Sequence, residues 1–186
     1  MIIVSTIQVR GSRSAPGCAR GALTPGRIPS MDATLMKWMS PEDANNGGFV
    51  HGGVVMRLCD EAAGLAAMRH ARVRCVTAGI DRMTFDSRVD VGELLTLEAR
   101  VNAVWSSSME VGVRVSAENV YTGEVRHTSS AYLTMVAIDV GTGRPVGVPP
   151  LPEPTDPDAV RRQAEAQLRR ANRLAEREQI ERDRRG

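Results

Sequence analysis

The chain has 186 residues, of which 42% are hydrophobic, 25% are charged and 3% are aromatic, and its formal net charge is +2. This hydrophobic content is sufficient for a packed core, which excludes a wholly disordered chain, and the length corresponds to one domain with tails. No apolar run approaches the ~20 residues of a membrane-spanning helix, and the small net charge indicates no particular class of partner.

The first 30 residues predict a disordered N-terminal extension, residues 1–30. They contain no Asp or Glu, and Pro16, Pro25 and Pro29 interrupt any long amphipathic helix. A basic, acid-free composition also occurs in transit peptides, and Met31 is an alternative start of the biological chain.

The three cysteines, Cys18, Cys59 and Cys75, are irregularly spaced and form no CxxC pair. This pattern is typical of reduced thiols rather than of a disulfide framework. We therefore expect a cytoplasmic protein in which Cys59 and Cys75 are small apolar core residues.

Periodicity predicts a domain of the α+β class in residues 31–152. Residues 31–40 fit a short strand or a helical turn, and residues 54–70 predict a helix that is buried on most sides. Gly64 in this helix suggests close approach of a backbone or a ligand. Four strands with period-two alternation follow, at residues 73–85, 94–104, 108–120 and 125–138. One helix followed by four antiparallel strands indicates a sheet that wraps around the helix.

The C-terminal part, residues 153–186, is predicted to be a proline-rich linker followed by a charged helix. Six of the ten prolines fall between Pro145 and Pro157, and residues 158–185 contain nine arginines and six acids. The helix fits packing on the domain or on a neighbouring subunit, and its arginines fit a solvated face or contacts with ligand phosphates. Its thin apolar stripe consists of Val160, Ala164, Leu168, Ala171 and Leu174.

A polar, glycine-rich segment leads into the first predicted helix, with the sequence DANNGGFVHGG over residues 43–53. Gly52 and Gly53 leave backbone N–H groups unshielded at the helix start, where the helix dipole favours negative charge. Asp60 follows two helical turns later, on nearly the same side as Gly52. An amide donor and a carboxylate on one face suit polarisation of a carbonyl group beside a base or nucleophile.

The acids of this helix also have structural interpretations. Asp60 fits a cap or an ion pair with Arg57 or Arg82. Glu61, about 100° further around the helix, is the competing acid, and we expect it to be structural.

Templates for other chemistries are not matched. The segment 47–53 fits neither the P-loop nor the GxGxxG pattern, and no His/Cys/Asp cluster has metal-ligand spacing, so we expect no metal. The serines 106–108 do not lie in a G-x-S-x-G context. Nucleic-acid binding is disfavoured because the positive charge lies in tails with compensating acids and without an aromatic surface.

With these residues in view, the chain resembles the hotdog-fold acyl-CoA thioesterases, the group of the brain acyl-CoA hydrolase and the bacterial short-chain enzymes. The resemblance covers roughly residues 35–152. Its ordered motifs are DANNGGFVHGGVVMRLCDEAAGLAAMRH, VTAGIDRMTF, VGELLTLEARV, SSSMEVGV, TMVAID and VPPL. It implies a long central helix wrapped by an antiparallel sheet, edge-to-edge dimers with active sites at the interface, and possible trimers of dimers. The implied reaction is hydrolysis of fatty acyl-CoA, with no cofactor apart from the coenzyme A of the substrate.

The resemblance also implies catalytic roles. Asp60 matches the general base or nucleophile, Asn45 matches the asparagine that works with the aspartate of the opposite subunit, and Gly52 matches the amide that binds the thioester oxygen. We expect Asp60 to be partly buried at the interface crevice. Further expected substrate contacts are His51, Gly53, Thr77, Met83, Phe85, Ser107 and Ser108, with Arg82 and Arg88 as candidates for the CoA phosphates.

Several alternatives stay open. His51 fits a direct catalytic role or an orienting role in the loop backbone, and the serines fit pantetheine contacts or a polar strand start. The whole chain also fits a non-catalytic acyl-CoA sensor. A 3-hydroxyacyl dehydratase is a weaker alternative, because His51 lies in the wrong motif context for it.

Overall fold

The computed structural model describes residues 32–185, and the predicted extension 1–30 lies outside them. Its elements in chain order are β1 Ala33–Trp38, a 3-10 turn Pro41–Asp43, α1 Gly52–Ala71, β2 Arg74–Phe85, β3 Leu94–Val104, β4 Ser108–Asn119, β5 Glu124–Ile138 and α2 Pro157–Asp183. The five strands form one antiparallel sheet in the order β1, β3, β4, β5, β2. The strands β1 and β2 are therefore the two edges.

The first strand settles the alternative that the sequence left open for residues 31–40. β1 pairs with β3 over its whole length, from Ala33 opposite Ala99 to Trp38 opposite Leu94. Six residues are too few for their period to distinguish a strand from a turn. The edge of β3 decides the outcome, because it supplies hydrogen-bond partners for the backbone of this segment.

Helix α1 packs on one face of the sheet through small side chains. Ala62, Ala63, Ala66 and Ala67 have no exposed surface, so the helix lies close against the strands. Outside this contact Met56, Leu65 and Met68 are each about 40% exposed. The prediction that this helix is buried on most sides is wrong for the single chain, because the sheet covers only one side of it.

Helix α2 packs on the other face of the sheet. Ala166 is fully buried there, and Arg169 donates to Glu110 of β4 while its Cζ lies 3.7 Å from the centroid of the Tyr132 ring on β5. Alternation placed Glu110 on the polar face of β4, as the structure does. That face is nevertheless covered by α2, so Glu110 has no exposed surface.

The proline-rich segment runs along the end of the sheet before it reaches α2. Val146 N–H donates to Ala137 O at 2.9 Å, and Val148 N–H donates to Ser106 O at 3.0 Å. Val146, Val148 and Leu151 pack against the core. The first half of this segment is therefore held on the domain. No helix within residues 32–185 is long and apolar enough to span a membrane.

Candidate active site

The loop before α1 is fixed by a buried carboxylate. Asp43, 6% exposed, accepts hydrogen bonds from Lys37 Nζ at 2.5 Å and from Ser40 N at 2.9 Å. The Lys37 ammonium lowers the pKa of Asp43 below its ordinary value of 3.8. The backbone carbonyl oxygen of Asp43 in turn accepts from His51 N–H at 2.8 Å, so Asp43 anchors one end of the loop through its carboxylate and the other through its main chain.

The same loop is tied on its other side to the segment between β2 and β3. Val50 N–H donates to Val89 O at 2.9 Å, and Phe49 forms a β-bridge with Asp90. This segment is held by Glu93, 7% exposed, which accepts from Arg126 Nη1 at 2.5 Å and Nη2 at 2.8 Å. The Arg126 guanidinium holds the pKa of Glu93 below its ordinary value of 4.5. Sequence reasoning identified no role for Glu93 in supporting the site.

The start of α1 presents one free amide. His51 Nδ1 accepts from Gly53 N–H at 2.9 Å, and His51 O accepts from Val54 N–H at 2.9 Å. Gly52 N–H has no hydrogen-bond acceptor among the described residues. A Cβ at Gly52 would lie 3.5 Å from Phe85 Cζ, so the Phe85 ring lines the space beside this amide.

His51 therefore acts as the N-cap of α1, which is the orienting role considered from the sequence. With Nδ1 accepting, the proton of the neutral ring lies on Nε2, which can donate to a ligand. Gly53, named as a substrate contact, uses its N–H in this cap and does not have it free for a ligand.

Asp60 lies at the middle of α1, and its carboxylate is exposed in the single chain. The expected partial burial concerns the crevice between two subunits and stays a prediction. Thr77 of β2 donates its hydroxyl proton to Asp60 Oδ1. Arg57 pairs with Glu61 at 2.5 Å rather than with Asp60, so Glu61 has the structural role that we expected. An added Cβ at Gly64, one turn beyond Asp60, would meet nothing within 4 Å. This side of α1 therefore faces open space, and the backbone approach expected at Gly64 is absent in the single chain.

One chain does not assemble the complete set of groups. Gly52 and Asp60 are eight residues apart on a straight helix, which places them about 12 Å apart along its axis. The Asn45 amide oxygen is engaged within its own loop, where it accepts from Gly47 N–H at 2.7 Å. A thioester group in contact with the Gly52 amide is therefore out of reach of Asp60 in the same chain.

The remaining predicted residues fall into two groups. Met83 packs against the core beside Phe85, which is 51% exposed, and both lie on β2 near the start of α1. Ser107 and Ser108 lie at the turn between β3 and β4. Ser108 pairs with Val136 of β5, and Val136 pairs with Val76 of β2, next to Thr77. The turn is therefore two strands away from Thr77.

The two arginine candidates also lie at different places. Arg82 is exposed on β2. Arg88 forms an ion pair with Asp90 at 3.1 Å and lies over the Phe49 ring, on the loop side of the site. Neither arginine is buried, so both are accessible to a phosphate group.

A cluster of Ser130, His127 and Asp86 has the composition of a serine-hydrolase triad but not its geometry. Ser130 Oγ lies 3.1 Å from His127 Nε2, and Asp86 Oδ2 lies 3.3 Å from the same nitrogen. In a triad the serine and the acid contact different ring nitrogens. His127 Nδ1 is buried and has no hydrogen-bond partner within residues 32–185. This cluster therefore supports no serine nucleophile.

Two other features bear on the location of the site. A cavity of about 530 Å³ lies between α2 and the sheet, lined by residues such as Arg114 and Tyr132, on the face opposite Asp60. The sheet separates this cavity from Asp60, so it is not the site described above. No group of three or more His, Cys, Asp or Glu residues suited to a metal occurs in the part of the chain that the structure describes.

A long helix packed on one five-stranded antiparallel sheet, with the acid on the helix and the free amide at its start, defines a hotdog-fold protein. The model of the thioesterase superfamily matches residues 47–124, from the loop before α1 to the start of β5. A cytosolic acyl coenzyme A thioester hydrolase of Rattus norvegicus is 35% identical over 135 residues, which cover 71% of this chain and 35% of the relative.

Solved structures give the same result for the fold. The structure of an apo-hexameric acyl-CoA thioesterase has a TM-score of 0.76 and 38% identity, covering 80% of this chain and 94% of that one. The acyl-CoA hydrolase of Staphylococcus aureus, solved with butyryl coenzyme A, has a TM-score of 0.75 and 30% identity, covering 83% and 93%. The chain belongs to the thioesterase superfamily, and it is a thioesterase of the hotdog fold.

The Staphylococcus aureus hydrolase has also been solved with an asparagine, an aspartate or a threonine replaced by alanine. Along that chain the aspartate follows the asparagine by 15 positions, and the threonine follows the aspartate by 17. Asn45, Asp60 and Thr77 have the same two separations here.

Proposed function

We propose that this protein hydrolyses fatty acyl-CoA thioesters to a free acid and coenzyme A, in active sites that two copies of the chain share. The observation that carries the proposal is that each chain presents a free Gly52 N–H and an exposed Asp60 carboxylate, which would act together when the amide of one copy lies beside the carboxylate of the other. Thr77 holds that carboxylate from β2. The matching separations of Asn45, Asp60 and Thr77 in a solved acyl-CoA hydrolase support it.

The chemistry follows from the two groups. The Gly52 N–H donates to the thioester oxygen and stabilises the negative charge that develops there, helped by the dipole of α1. Asp60 of the other copy accepts a proton from water, whose oxygen bonds to the acyl carbon as the C–S bond breaks. The thiolate of coenzyme A then takes up a proton. In the alternative route Asp60 attacks the acyl carbon directly, and water hydrolyses the resulting anhydride.

The edge strand β2 supports a second copy as the partner that completes the site. β2 has 12 residues and no neighbour on its outer side, and an unpaired edge of this length is a template for another strand. Val76 and Ile80 on β2 are 42% and 40% exposed, and Met56 of α1, which is 40% exposed, lies one turn before Asp60 on the side of the helix that meets β2. Pairing of two β2 edges would cover this surface and bring Asn45 of one copy towards Asp60 of the other.

The parts of the substrate are assigned by chemistry. Met83 and Phe85 are apolar, and the Phe85 ring lies beside Gly52, which suits the acyl chain. The His51 Nε2–H and the serines of the β3–β4 turn suit the polar pantetheine arm, and Arg82 and Arg88 suit the phosphates. We place the protein in the cytoplasm, and no cofactor is required beyond the coenzyme A of the substrate.

The central experiment measures thiol release from a panel of acyl-CoAs by wild type, Asp60→Asn, Asn45→Ala and Glu61→Gln. Removal of a base or nucleophile lowers kcat by at least about a thousandfold. Glu61→Gln is the matched control, because it removes the neighbouring carboxylate and should retain activity within about twofold. Full activity of Asp60→Asn would show that another group is the base. Acyl-CoA binding without hydrolysis by wild type would favour the sensor alternative.

Mixed oligomers test whether the site is shared. When Asp60→Asn and Asn45→Ala chains are unfolded together and refolded, half of the dimers contain one of each chain. A shared site gives each mixed dimer one intact active site, so about a quarter of wild-type activity returns. If the site lies within one chain, no activity returns, because every chain carries one inactivating substitution.

A further inference from the structure

Helix α2 is attached to the domain by its charged side. Ala166 is fully buried, Arg169 pairs with the buried Glu110 at 2.7 Å, and Arg173 pairs with Asp81 of β2. Trp105 Nε1–H donates to Gln167 Oε1 at 3.1 Å, and Arg170 Cζ lies 4.4 Å from the centroid of the Trp105 ring. Ion pairs and cation–π contacts therefore hold this helix, while its apolar residues take little part.

An apolar stripe of α2 points away from the domain, and in the structure it consists of Val160, Ala164, Leu168, Ala171 and Ala175. Leu168 is 62% exposed and Val160 is 52% exposed. Ala164, Ala171 and Ala175 lie between and beyond them on the same side and are also exposed. At 100° per residue these five positions lie within about 80° of one another and roughly opposite Ala166. A stripe of about four turns is thus uncovered in a helix that is otherwise attached.

The stripe is complementary to itself in an antiparallel arrangement. With a two-fold axis at Leu168, Val160 of one copy faces Ala175 of the other, and Ala164 faces Ala171, so the small residues allow close approach. Arg161 already pairs with Glu165 of its own helix at 2.8 Å, and in this arrangement it would also lie beside Glu176 of the other copy, twice by symmetry. Glu176 forms no ion pair within residues 32–185, so it is available for a partner.

We propose that α2 is an interface between copies of this chain, in which two α2 stripes pack antiparallel about Leu168. This inference rests on the self-association proposed above, and it adds a second two-fold contact to the β2 edge. One such contact gives only a dimer, whereas two different two-fold contacts on each chain join dimers into larger assemblies, which form a closed ring when the orientation of the two axes allows closure. A ring of three dimers has six chains, and a solved relative is hexameric.

The test measures the mass of the full chain by sedimentation velocity over a range of concentrations. We compare wild type with Leu168→Glu and with Val140→Glu, a matched control that places the same acid at a residue 70% exposed outside α2. We expect wild type and Val140→Glu to assemble beyond dimers. Leu168→Glu should stop at dimers, with the dissociation constant between dimers raised at least about a hundredfold.

A charge exchange tests the pairing geometry. Arg161→Glu and Glu176→Arg each place like charges together and should weaken the contact between dimers, whereas the double variant should restore it. An unchanged mass of Leu168→Glu, a wild type that stays dimeric at every concentration, or a double variant no better than the single ones would overturn the proposal. Ile80→Lys distinguishes the α2 contact from the shared active site. Disruption of the β2 edge should abolish thiol release but leave dimers that are joined through α2.

Discussion

The ion pair between Glu93 and Arg126 is expected to control both stability and catalysis, although neither residue lies in the site. Arg126 donates twice to the Glu93 carboxylate and also to Arg88 O at 2.8 Å. This pair fixes the segment between β2 and β3 that contains Val89. The carbonyl oxygen of Val89 accepts from Val50 N–H, immediately before the start of α1. Arg126→Gln removes the cation and leaves the carboxylate of Glu93, which is only 7% exposed, without its partner.

The magnitude follows from burial. Breaking a fully buried ion pair costs about 3 to 5 kcal/mol, and the Arg126 side chain is 30% exposed, so water replaces part of the loss. We expect Arg126→Gln to lower the free energy of unfolding by about 2 to 3 kcal/mol, and Tm by about 5 to 10 °C. Because a displaced Gly52 amide stabilises the transition state less, kcat should fall about tenfold or more with little change in KM.

The assays are urea unfolding at one fixed protein concentration and thiol release well below the unfolding midpoint. Arg177→Ala is the matched control, because its pair with Glu181 is exposed and should contribute less than about 0.5 kcal/mol. In a double-mutant cycle, Glu93→Gln with Arg126→Gln should cost less than the sum of the single changes by about 1.5 kcal/mol. Additive losses of unfolding free energy in the cycle, or an Arg126→Gln variant with wild-type stability and kcat, would refute the role of this ion pair.

Three further outcomes follow from the buried groups. Folding lowers the pKa values of Asp43 and Glu93, so the stability that these carboxylates contribute is complete above their ordinary pKa values of 3.8 and 4.5. This contribution is lost as the pH falls through the lower pKa values of the folded state. Glu93→Gln should therefore reduce the pH dependence of the free energy of unfolding in acid, measured by urea unfolding. Burial raises the pKa of the Cys59 thiol to about 12, so native protein at pH 8 should leave Cys59 unmodified by iodoacetamide in peptide mass spectrometry, and urea should expose it. Arg169→Ala leaves Glu110 buried without a cation and should release α2, measured as faster amide exchange along that helix, whereas Arg177→Ala should not.

The candidate site was partly readable from the sequence. The glycines before an apolar helix and the acid two turns along predicted the positions of Gly52 and Asp60, because helix geometry fixes that relation. The contact between Asp60 and Thr77 was not readable, since it joins α1 to β2 across 17 residues of sequence. The support from Glu93 was also missed: a glutamate after a turn glycine gives no local sign that Arg126, 33 residues later, will cover it.

Local patterns in the sequence determined which segments are helices and strands, because hydrophobic period, turn residues and the glycine-rich start all act within a few residues. The ordered motifs likewise indicated the thioesterase superfamily. Only the tertiary structure decided that residues 33–38 complete the sheet as an edge strand, and that β2 remains unpaired at the other edge. It also decided that α2 turns Arg169 and Arg173 inward and its leucines outward. These outcomes depend on which surfaces meet after the chain has folded, and Glu110 shows why: its burial next to Arg169 requires two residues 59 positions apart.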